Sequence, residues 1–249
     1  MFYKRLVVAM QRLYCLSAVA KDDVHWGYDK ETGPNNWHCL SPDFKLCASG
    51  RKQSPIDIIT TRSKKADLPI LDFQYNPIPL VIENNGHSIQ IITKNAGALV
   101  IGDETYKLLQ FHAHAPSEEA IDGKRSDMVI HLVHQNAHGQ LGVVACLLEV
   151  GDTANPLIDT IWEVMPQTQG QPQQHDIQID IKQLLPTEKE YFTFTGSLTT
   201  PPCSEGVKWI VLKQLVSISA AQLEKFKALY PCNARPLQPE NNRKILSSN

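Results

Sequence analysis

The apolar residues of this chain fall in short runs, separated for most of its length by Gly, Asn, Asp and Pro. Runs of this kind, bounded by turn-forming residues, are typical of β-strands. We therefore predict strands over residues 80–82, 87–92, 98–101, 106–114, 129–134, 141–150, 191–194 and 207–212. The pattern indicates that β-structure dominates the chain.

Helical periodicity is clearest in two segments, residues 155–165 and 219–230. In the second segment Ser219 is placed as an N-cap, and Leu223, Phe226 and Leu229 follow at helical spacing. No internal repeat, low-complexity tract or linker divides the chain. The sequence therefore predicts a mostly β (α+β) fold, a single domain over residues 21–249 with a large sheet and short peripheral helices.

Composition narrows the class of protein. Apolar residues make up 42% of the 249 residues and charged residues 20%, which is typical of a globular protein with a full core. The formal net charge is −2, and no block of basic residues is present. Nothing in the chain therefore points to a nucleic-acid partner.

The first residues have a different pattern. Lys4 and Arg5 precede a mostly apolar stretch, and small residues at 18–20 supply a possible cleavage site, although Gln11 and Arg12 interrupt the stretch. We predict that residues 1–20 are a secretory signal peptide and that the protein is periplasmic or secreted. A disordered cytosolic tail is the alternative. No apolar run approaches the roughly 20 residues that span a bilayer, so we expect no integral membrane segment in the mature chain.

Six cysteines are too few for a disulfide-dense scaffold of this length. Cys146 lies in an apolar run and is predicted to be a buried free thiol. Cys47 and Cys203 both flank Pro/Ser turn segments and are one candidate pair, and Cys39 and Cys232 are a second. The sequence leaves this connectivity open.

Candidate chemistry centres on two histidines in one predicted strand. Residues two apart in a strand share a face, so His112 and His114 point the same way. Two imidazoles on one face can converge on a metal, but so short a motif is weak evidence on its own. Two polar residues on a solvated strand face would explain it equally well.

A third histidine follows after a turn-rich stretch. Residues 128–133 are a predicted strand, and an antiparallel return of this length lays His131 beside His112 and His114. Three imidazoles with the fourth position open are the coordination expected of catalytic zinc. His134 has the opposite parity to His131, so we expect it to face away, as a structural or surface residue.

Several motifs in order now resemble the α-class carbonic anhydrases, and the resemblance covers roughly residues 25–245. The matching segments are His25-Trp26-Gly27-Tyr28, Gln53-Ser54-Pro55-Ile56-Asp57, Asn84-Asn85-Gly86-His87, Gln110 to His114, Ser117-Glu118, His131 to His134, Gly196 to Pro202 and Asn233-Ala234-Arg235-Pro236. The resemblance implies a ten-stranded, mainly antiparallel twisted sheet. It also implies a Zn²⁺ cofactor and the hydration of carbon dioxide to bicarbonate and a proton.

The resemblance further implies a role for particular residues. Zinc-bound hydroxide would be the nucleophile, oriented by Thr199 and Glu118, and His87 would export the proton. Taken alone, Thr199 is a turn residue before Pro201, Glu118 a surface acid and His87 an exposed histidine. The implied substrate site is formed by Val133, Val143, Leu198, Thr199, Thr200, Val207 and Trp209, and the implied water path by Tyr28, Asn85 and Gln90.

The resemblance also implies a Cys47–Cys203 disulfide, which is common among secreted members of the family, in the turn that presents Thr199. The substrate would be a small molecule, carbon dioxide or bicarbonate, and the protein a monomer or a homodimer.

One departure from the family pattern concerns the partners of the zinc ligands. Gln110 matches the partner of one ligand, but the family's glutamate two residues before the third ligand is replaced by Val129. A histidine is common in the family where this chain has Glu119. Our hypothesis is that Glu119 reaches His131 from the other side and takes the missing role.

Two rival functions remain open at the level of sequence. A non-catalytic or weakly active binding protein on the same fold is one, since fold does not fix function. A zinc esterase is the other, because a zinc hydroxide attacks carbonyl carbons other than that of carbon dioxide.

Overall fold

The computed structural model describes residues 24–249. The predicted signal peptide, residues 1–20, lies outside the described residues. Within them, sixteen strands form one large sheet and one small one. The strands are β1 Asp57–Ile58, β2 Lys64–Lys65, β3 Leu71–Tyr75, β4 Ile78–Asn84, β5 Ile89–Ile92, β6 Gly97–Ile101, β7 Glu104–His114, β8 Ala120–Ile121, β9 Lys124–Arg125, β10 Met128–Asn136, β11 Leu141–Val150, β12 Gln173–Ile179, β13 Tyr191–Ser197, β14 Glu205–Leu212, β15 Val216–Ile218 and β16 Leu246–Ser247.

Helices are short and peripheral. The α-helices of the described chain are α1 Trp37–Leu40, α2 Leu46–Ser49, α3 Pro156–Glu163 and α4 Ala220–Lys227, and 3-10 turns lie at Lys30–Thr32, Pro42–Phe44, Thr60–Arg62 and Ile181–Leu184. Asn155 caps α3 by accepting from the backbone N–H of Leu157 and Ile158. Ser219 and Gln222 form a reciprocal capping box at the start of α4. Both helices predicted from periodicity are thus present, and Ser219 is the predicted N-cap.

The large sheet has thirteen strands among the described residues, and ten of them form one continuous path, β12-β4-β5-β7-β10-β11-β14-β13-β16-β2. Strands β3, β6 and β15 pair beside this path. Most neighbours are antiparallel, but β11 runs parallel to β14 and β15, and β16 runs parallel to β2. The prediction of a large, mainly antiparallel sheet in one mostly β domain is confirmed.

Apolar side chains of the central strands point alternately to the two faces of the sheet, and both faces are buried. On β10, Ile130 and Leu132 belong to one apolar cluster, while Val129 and Val133 belong to another. Helices α3 and α4 cover the first face, where the rings of Trp162 and Phe226 stack 5.7 Å apart. The second face carries the three candidate metal-binding histidines, since His131 shares the parity of Val129 and Val133.

The structure also settles three smaller expectations. His134 faces away from His131 but is not at the surface: it is fully buried and lies 2.7 Å from the hydroxyl of Tyr75. Cys146 is a buried free thiol, as predicted. The candidate pairing of Cys39 with Cys232 is wrong, because both are free and exposed.

None of the helices in residues 24–249 is long and apolar enough to cross a bilayer.

Candidate metal centre

Strand register brings the three histidines together. In the antiparallel pairing of β7 with β10, His131 lies directly opposite His112, and His114 lies opposite Val129. His112 and His114 share a face of β7, so all three rings project from the same side of the sheet. One ring nitrogen from each residue lies within 4.8 Å of the other two. The sequence prediction of a three-histidine cluster therefore agrees with the geometry.

The second nitrogen of each ring has an acceptor that fixes the tautomer. His112 Nδ1 lies 2.8 Å from Gln110 Oε1, and His114 Nδ1 lies 2.7 Å from the backbone oxygen of Asn233. His131 Nε2 lies 3.1 and 3.2 Å from the two carboxylate oxygens of Glu119. Because an acceptor oxygen requires an N–H opposite it, the remaining nitrogens present their lone pairs to the common centre.

Burial favours neutral rings at two of the three positions. Burial lowers the pKa of His112 well below its usual value and also lowers that of His114, where Glu118 acts in the opposite direction. For His131, burial is outweighed by the carboxylate of Glu119, which raises the pKa. The pKa of Glu119 is lowered: burial of the carboxylate raises it, but the contact with His131 lowers it by more.

The donor set fits zinc. Three imidazole nitrogens with fixed tautomers are the ligands of catalytic zinc sites that keep one position open. His114 Nε2 is buried and has no hydrogen-bond partner within residues 24–249, as expected of an atom that is placed for a metal. No other cluster of at least three His, Cys, Asp or Glu in that part of the chain meets the same spacing.

Glu118 lies beside the centre without joining it as a close ligand. Its Oε1 accepts from the backbone N–H of Arg235 at 2.8 Å, and its Oε2 lies 3.5 Å from His114 Nε2 and 3.8 Å from His131 Nδ1. Oε2 has no hydrogen-bond partner among the described residues, so Thr199 does not donate to this oxygen here. Oε2 instead faces the two histidines. Thr199 itself is buried.

Arg235 anchors this corner of the site. Its guanidinium is buried and donates to Gln53 Oε1 and to the backbone oxygens of Ser54 and Cys47. The hydrogen bonds from the Arg235 side chain to Cys47, Gln53 and Ser54 therefore fix the residue whose backbone N–H donates to Glu118.

An apolar wall stands next to the histidines. The ring of Trp209 meets that of His131 edge-on, with centroids 5.0 Å apart. The other wall residues predicted from the resemblance belong to the same buried cluster, with Leu198 packed against it: Val133, Val143 and Val207. The structure thus brings these predicted residues together.

The loop that carries Thr199 and Thr200 is braced in two ways. The backbone of Leu198 donates to Ser204, and that of Cys203 donates to Thr200. A disulfide joins Cys203 to Cys47 across a sequence separation of 156 residues. The predicted Cys47–Cys203 bridge is therefore present.

A small cavity of about 120 Å³ opens beside His112 and His114. Its lining includes every residue predicted for proton export and the water path, together with Thr200 and Gln110: Tyr28, Asn85, His87 and Gln90. The amide of Gln90 donates to Glu83 at 2.7 Å. The hydroxyl of Tyr28 is buried without a hydrogen-bond partner among the described residues.

His87 is held in a turn at the edge of this cavity. Gly86 has a φ of 86° and Asn85 Oδ1 accepts from the backbone N–H of His87 and Ser88, so β5 begins at Ile89, later than the predicted start. The imidazole stacks on Trp26 with ring centroids 3.6 Å apart. Burial, and then the proximity of His25, lower the pKa of His87 to about 4.

Two residues of the site were not singled out by sequence reasoning. Asn233 supplies the partner of His114 through its backbone oxygen, which no side-chain pattern identifies. Trp26 stacks on His87 from a loop far away in the sequence. Both lie in segments that carry the family resemblance, and that was the only available signal.

Comparisons with known proteins identify the family of the chain. The model of the family described as eukaryotic-type carbonic anhydrase matches residues 32–249. A carbonic anhydrase of Pectobacterium carotovorum is 42% identical over 243 residues, which covers 97% of this chain and 98% of the relative. One from a Nostoc species is also 42% identical over 241 residues, covering 94% of this chain and 90% of the relative.

The fold comparison gives the same answer. The α-carbonic anhydrase of Thermovibrio ammonificans, solved with the inhibitor sulfanilamide, superimposes with a TM-score of 0.85 at 41% identity. The match covers 90% of this chain and 99% of that protein. From the family model, the relatives and the shared architecture together, we conclude that the chain belongs to the eukaryotic-type (α-class) carbonic anhydrase family.

Proposed function

We propose that the protein catalyses the reversible hydration of carbon dioxide to bicarbonate and a proton at a zinc ion held by His112, His114 and His131. The observation that carries the proposal is the three imidazoles, whose tautomers are fixed by Gln110, Asn233 and Glu119. When bound, zinc supplies a hydroxide near neutral pH by lowering the pKa of its coordinated water, as is known for carbonic anhydrases.

The protein's own residues provide orientation. In the zinc-loaded enzyme the Thr199 hydroxyl would donate to Oε2 of Glu118, an oxygen that has no partner among the described residues, while the backbone N–H of Arg235 holds the other carboxylate oxygen. A carboxylate can only accept, so the hydroxyl proton of Thr199 would go to Glu118. The Thr199 oxygen would then accept a hydrogen bond from the attacking hydroxide and so fix the direction of its lone pair. Thr200 lines the polar cavity beside His112 and His114 and contributes to the polar side of the substrate site.

Carbon dioxide requires a different kind of wall. It is apolar and offers no strong hydrogen-bonding group, so it binds against Val133, Val143, Leu198, Val207 and Trp209 rather than in the polar cavity. An apolar wall without hydrogen-bonding groups suits carbon dioxide better than a polar ester. That geometry favours hydration over the zinc-esterase alternative.

Hydration releases a proton, which must leave for buffer before the next turnover. His87 accepts it across the water that fills the cavity between Tyr28, Asn85 and Gln90. With its pKa near 4 in the stacked position, the ring releases a proton readily but captures one poorly at neutral pH. Export is therefore favoured when the ring is less buried than in its stack on Trp26, because lower burial brings its pKa back towards the usual value.

Glu119 completes the zinc site in this chain. Its carboxylate accepts from His131 Nε2 and takes the role of the glutamate that the family pattern leads us to expect at position 129. We further propose, from the sequence pattern of residues 1–20, that a signal peptide is cleaved and that residues 21–249 form the catalytic domain. A disulfide persists in oxidising compartments, so we place the protein in the periplasm or outside the cell.

The function is tested by measuring zinc per chain and then the rate of pH change on mixing with carbon dioxide, with His114→Ala as the control. We expect one zinc per chain and rapid hydration that His114→Ala abolishes. A chain without zinc supports the non-catalytic binding protein. Zinc with ester hydrolysis but no hydration supports the esterase.

A further inference from the structure

Asn233 sits between the metal centre and the turn that carries His87. It follows α4 in an irregular segment and is only 1% exposed. Its backbone oxygen accepts from His114 Nδ1, and its backbone N–H donates to Ala115 O at 3.2 Å. The main chain of this residue therefore serves the zinc ligand.

The side chain of Asn233 contacts a second part of the chain, the turn that carries His87. Its Nδ2 donates to the backbone oxygens of His87 and Ala113, both at 3.0 Å, and its Oδ1 accepts from the backbone N–H of Ala115 at 2.9 Å. Two carbonyls need the amide donors and one N–H needs the acceptor, so only one orientation of the amide fits. Asn233 thus joins strand β7 to the backbone of His87, beside Ser88, whose hydroxyl donates to Ala113 O.

We infer that Asn233 is a positioning residue for proton export, whose side chain holds the backbone of His87 at a fixed place beside the zinc strand. The inference rests on the proposed function, since it assumes that His87 exports the proton. The other supports of His87 are the Asn85 side chain at its N–H and the Trp26 ring at its imidazole. Among the described residues, Asn233 is the one that links this turn directly to a zinc ligand.

The division between backbone and side chain makes the inference selective. Any substitution at 233 keeps the carbonyl that accepts from His114, so the zinc ligand retains its partner. Loss of the side chain frees His87 O, while Asn85 and Ser88 still hold the rest of the turn. Proton export follows bicarbonate formation, so it limits kcat while kcat/KM reports the earlier steps.

The test compares Asn233→Ala with the wild-type zinc enzyme in a weak buffer. We expect one zinc per chain and a kcat/KM within about twofold. We expect kcat to fall about tenfold, less than the roughly 10²–10⁴-fold that a whole proton-transfer group contributes, because His87 is kept but less well placed. Added imidazole, which carries protons in place of His87, should restore kcat. Asn233→Asp keeps an oxygen for Ala115 N–H but removes the donor, so it should give the same split if the alanine variant folds poorly.

Asn155→Ala is the matched control. Asn155 is also a buried asparagine whose side chain bonds only to backbone, at Leu157, Ile158 and Gln183, but it caps α3 away from the cavity. We expect a lower Tm with kcat unchanged in this variant. A fall in kcat equal to that of Asn233→Ala would show a general effect of lost packing and overturn the inference.

The combination with His87→Ala separates failure of the inference from failure of the proposed function. If Asn233 acts through His87, adding Asn233→Ala to His87→Ala lowers kcat no further. Additive losses, or a normal kcat in both Asn233 variants while His87→Ala is slow, would overturn the inference and leave the proposed function standing. If His87→Ala retains full kcat in weak buffer, proton export through His87 is wrong, and the inference falls with it.

Discussion

Glu119 and His131 form a buried pair in which both carboxylate oxygens lie within 3.2 Å of one imidazole nitrogen. Neither side chain has appreciable exposure to solvent. Glu119 comes from the loop after β7, whereas Val129 occupies the family's usual acidic position on His131's own strand and is packed in the apolar cluster. In this chain the carboxylate partner of His131 therefore comes from the loop after β7 and not from the strand of His131.

From this pair we predict that Glu119→Gln weakens zinc retention. The amide is close in shape but carries no charge to balance the N–H of His131, and loss of such a partner costs about 10–100-fold in metal affinity. Competition with a chelator of known affinity measures the effect. Glu149→Gln, at a surface ion pair with Lys124, is the control and should retain zinc normally. Equal zinc affinity in all three proteins would refute the role of Glu119.

A second prediction concerns exchange between the two positions. Val129→Glu alone places a carboxylate in an apolar cluster where the His131 N–H already has its acceptor, so we expect a lower Tm. In the Glu119→Ala background the same substitution supplies the missing acceptor and should recover part of the lost zinc affinity. Chelator competition on the single and double variants decides the point. A double variant no better than Glu119→Ala would show that the positions are not interchangeable.

Much of the fold follows from local pattern. Long, strongly apolar strands such as β11 are buried on both faces, and a continuous apolar run in the sequence predicts them. Strand β12 is different: its residues are mostly polar and part-exposed, and its pairing with β4 is irregular, so no apolar run marks it. Strand β3 has the alternating sequence Leu71-Asp72-Phe73-Gln74-Tyr75, a signal that sequence reasoning passed over.

The site divides along a similar line. Parity in the sequence predicts that His112 and His114 share a strand face, and a short antiparallel return makes His131 a candidate neighbour. The register that places His131 directly opposite His112 is known only from the structure. The contacts of Asn233 and Trp26 depend on how distant loops close over the sheet. A backbone carbonyl can come from any residue type, and a stacking ring can come from any distance along the chain. Residue spacing in the sequence therefore does not predict these two contacts.

The Cys47–Cys203 disulfide leads to a third prediction. It closes a loop of 156 residues, for which chain entropy gives an upper value of about 5 kcal/mol of stabilisation. We expect Cys47→Ser/Cys203→Ser to have a lower Tm than the wild type and to lose activity first at high temperature, because the bridge braces the Thr199 loop. Thermal melts with and without reductant measure this. The free thiols Cys39, Cys146 and Cys232 should leave the double variant insensitive to reductant.

The fourth prediction concerns stability below neutral pH and the buried His134. Burial lowers the pKa of this ring to about 4, compared with about 6.5 in the unfolded chain. Above pH 6.5 both states are neutral, and His134 makes stability no more dependent on pH. Between pH 6.5 and 4 the unfolded chain binds a proton that the folded protein refuses, so the free energy of unfolding falls as the pH falls.

The size of this effect is open to measurement by comparison with His134→Gln, whose amide can still meet the Tyr75 hydroxyl. On going from pH 7 to pH 5, the wild type should lose about 2 kcal/mol more unfolding free energy than the variant. Urea denaturation of both proteins at the two pH values, with the same zinc concentration throughout, isolates His134 because every other histidine is shared. Parallel losses in the two proteins would mean that His134 titrates in the folded state much as it does in the unfolded chain.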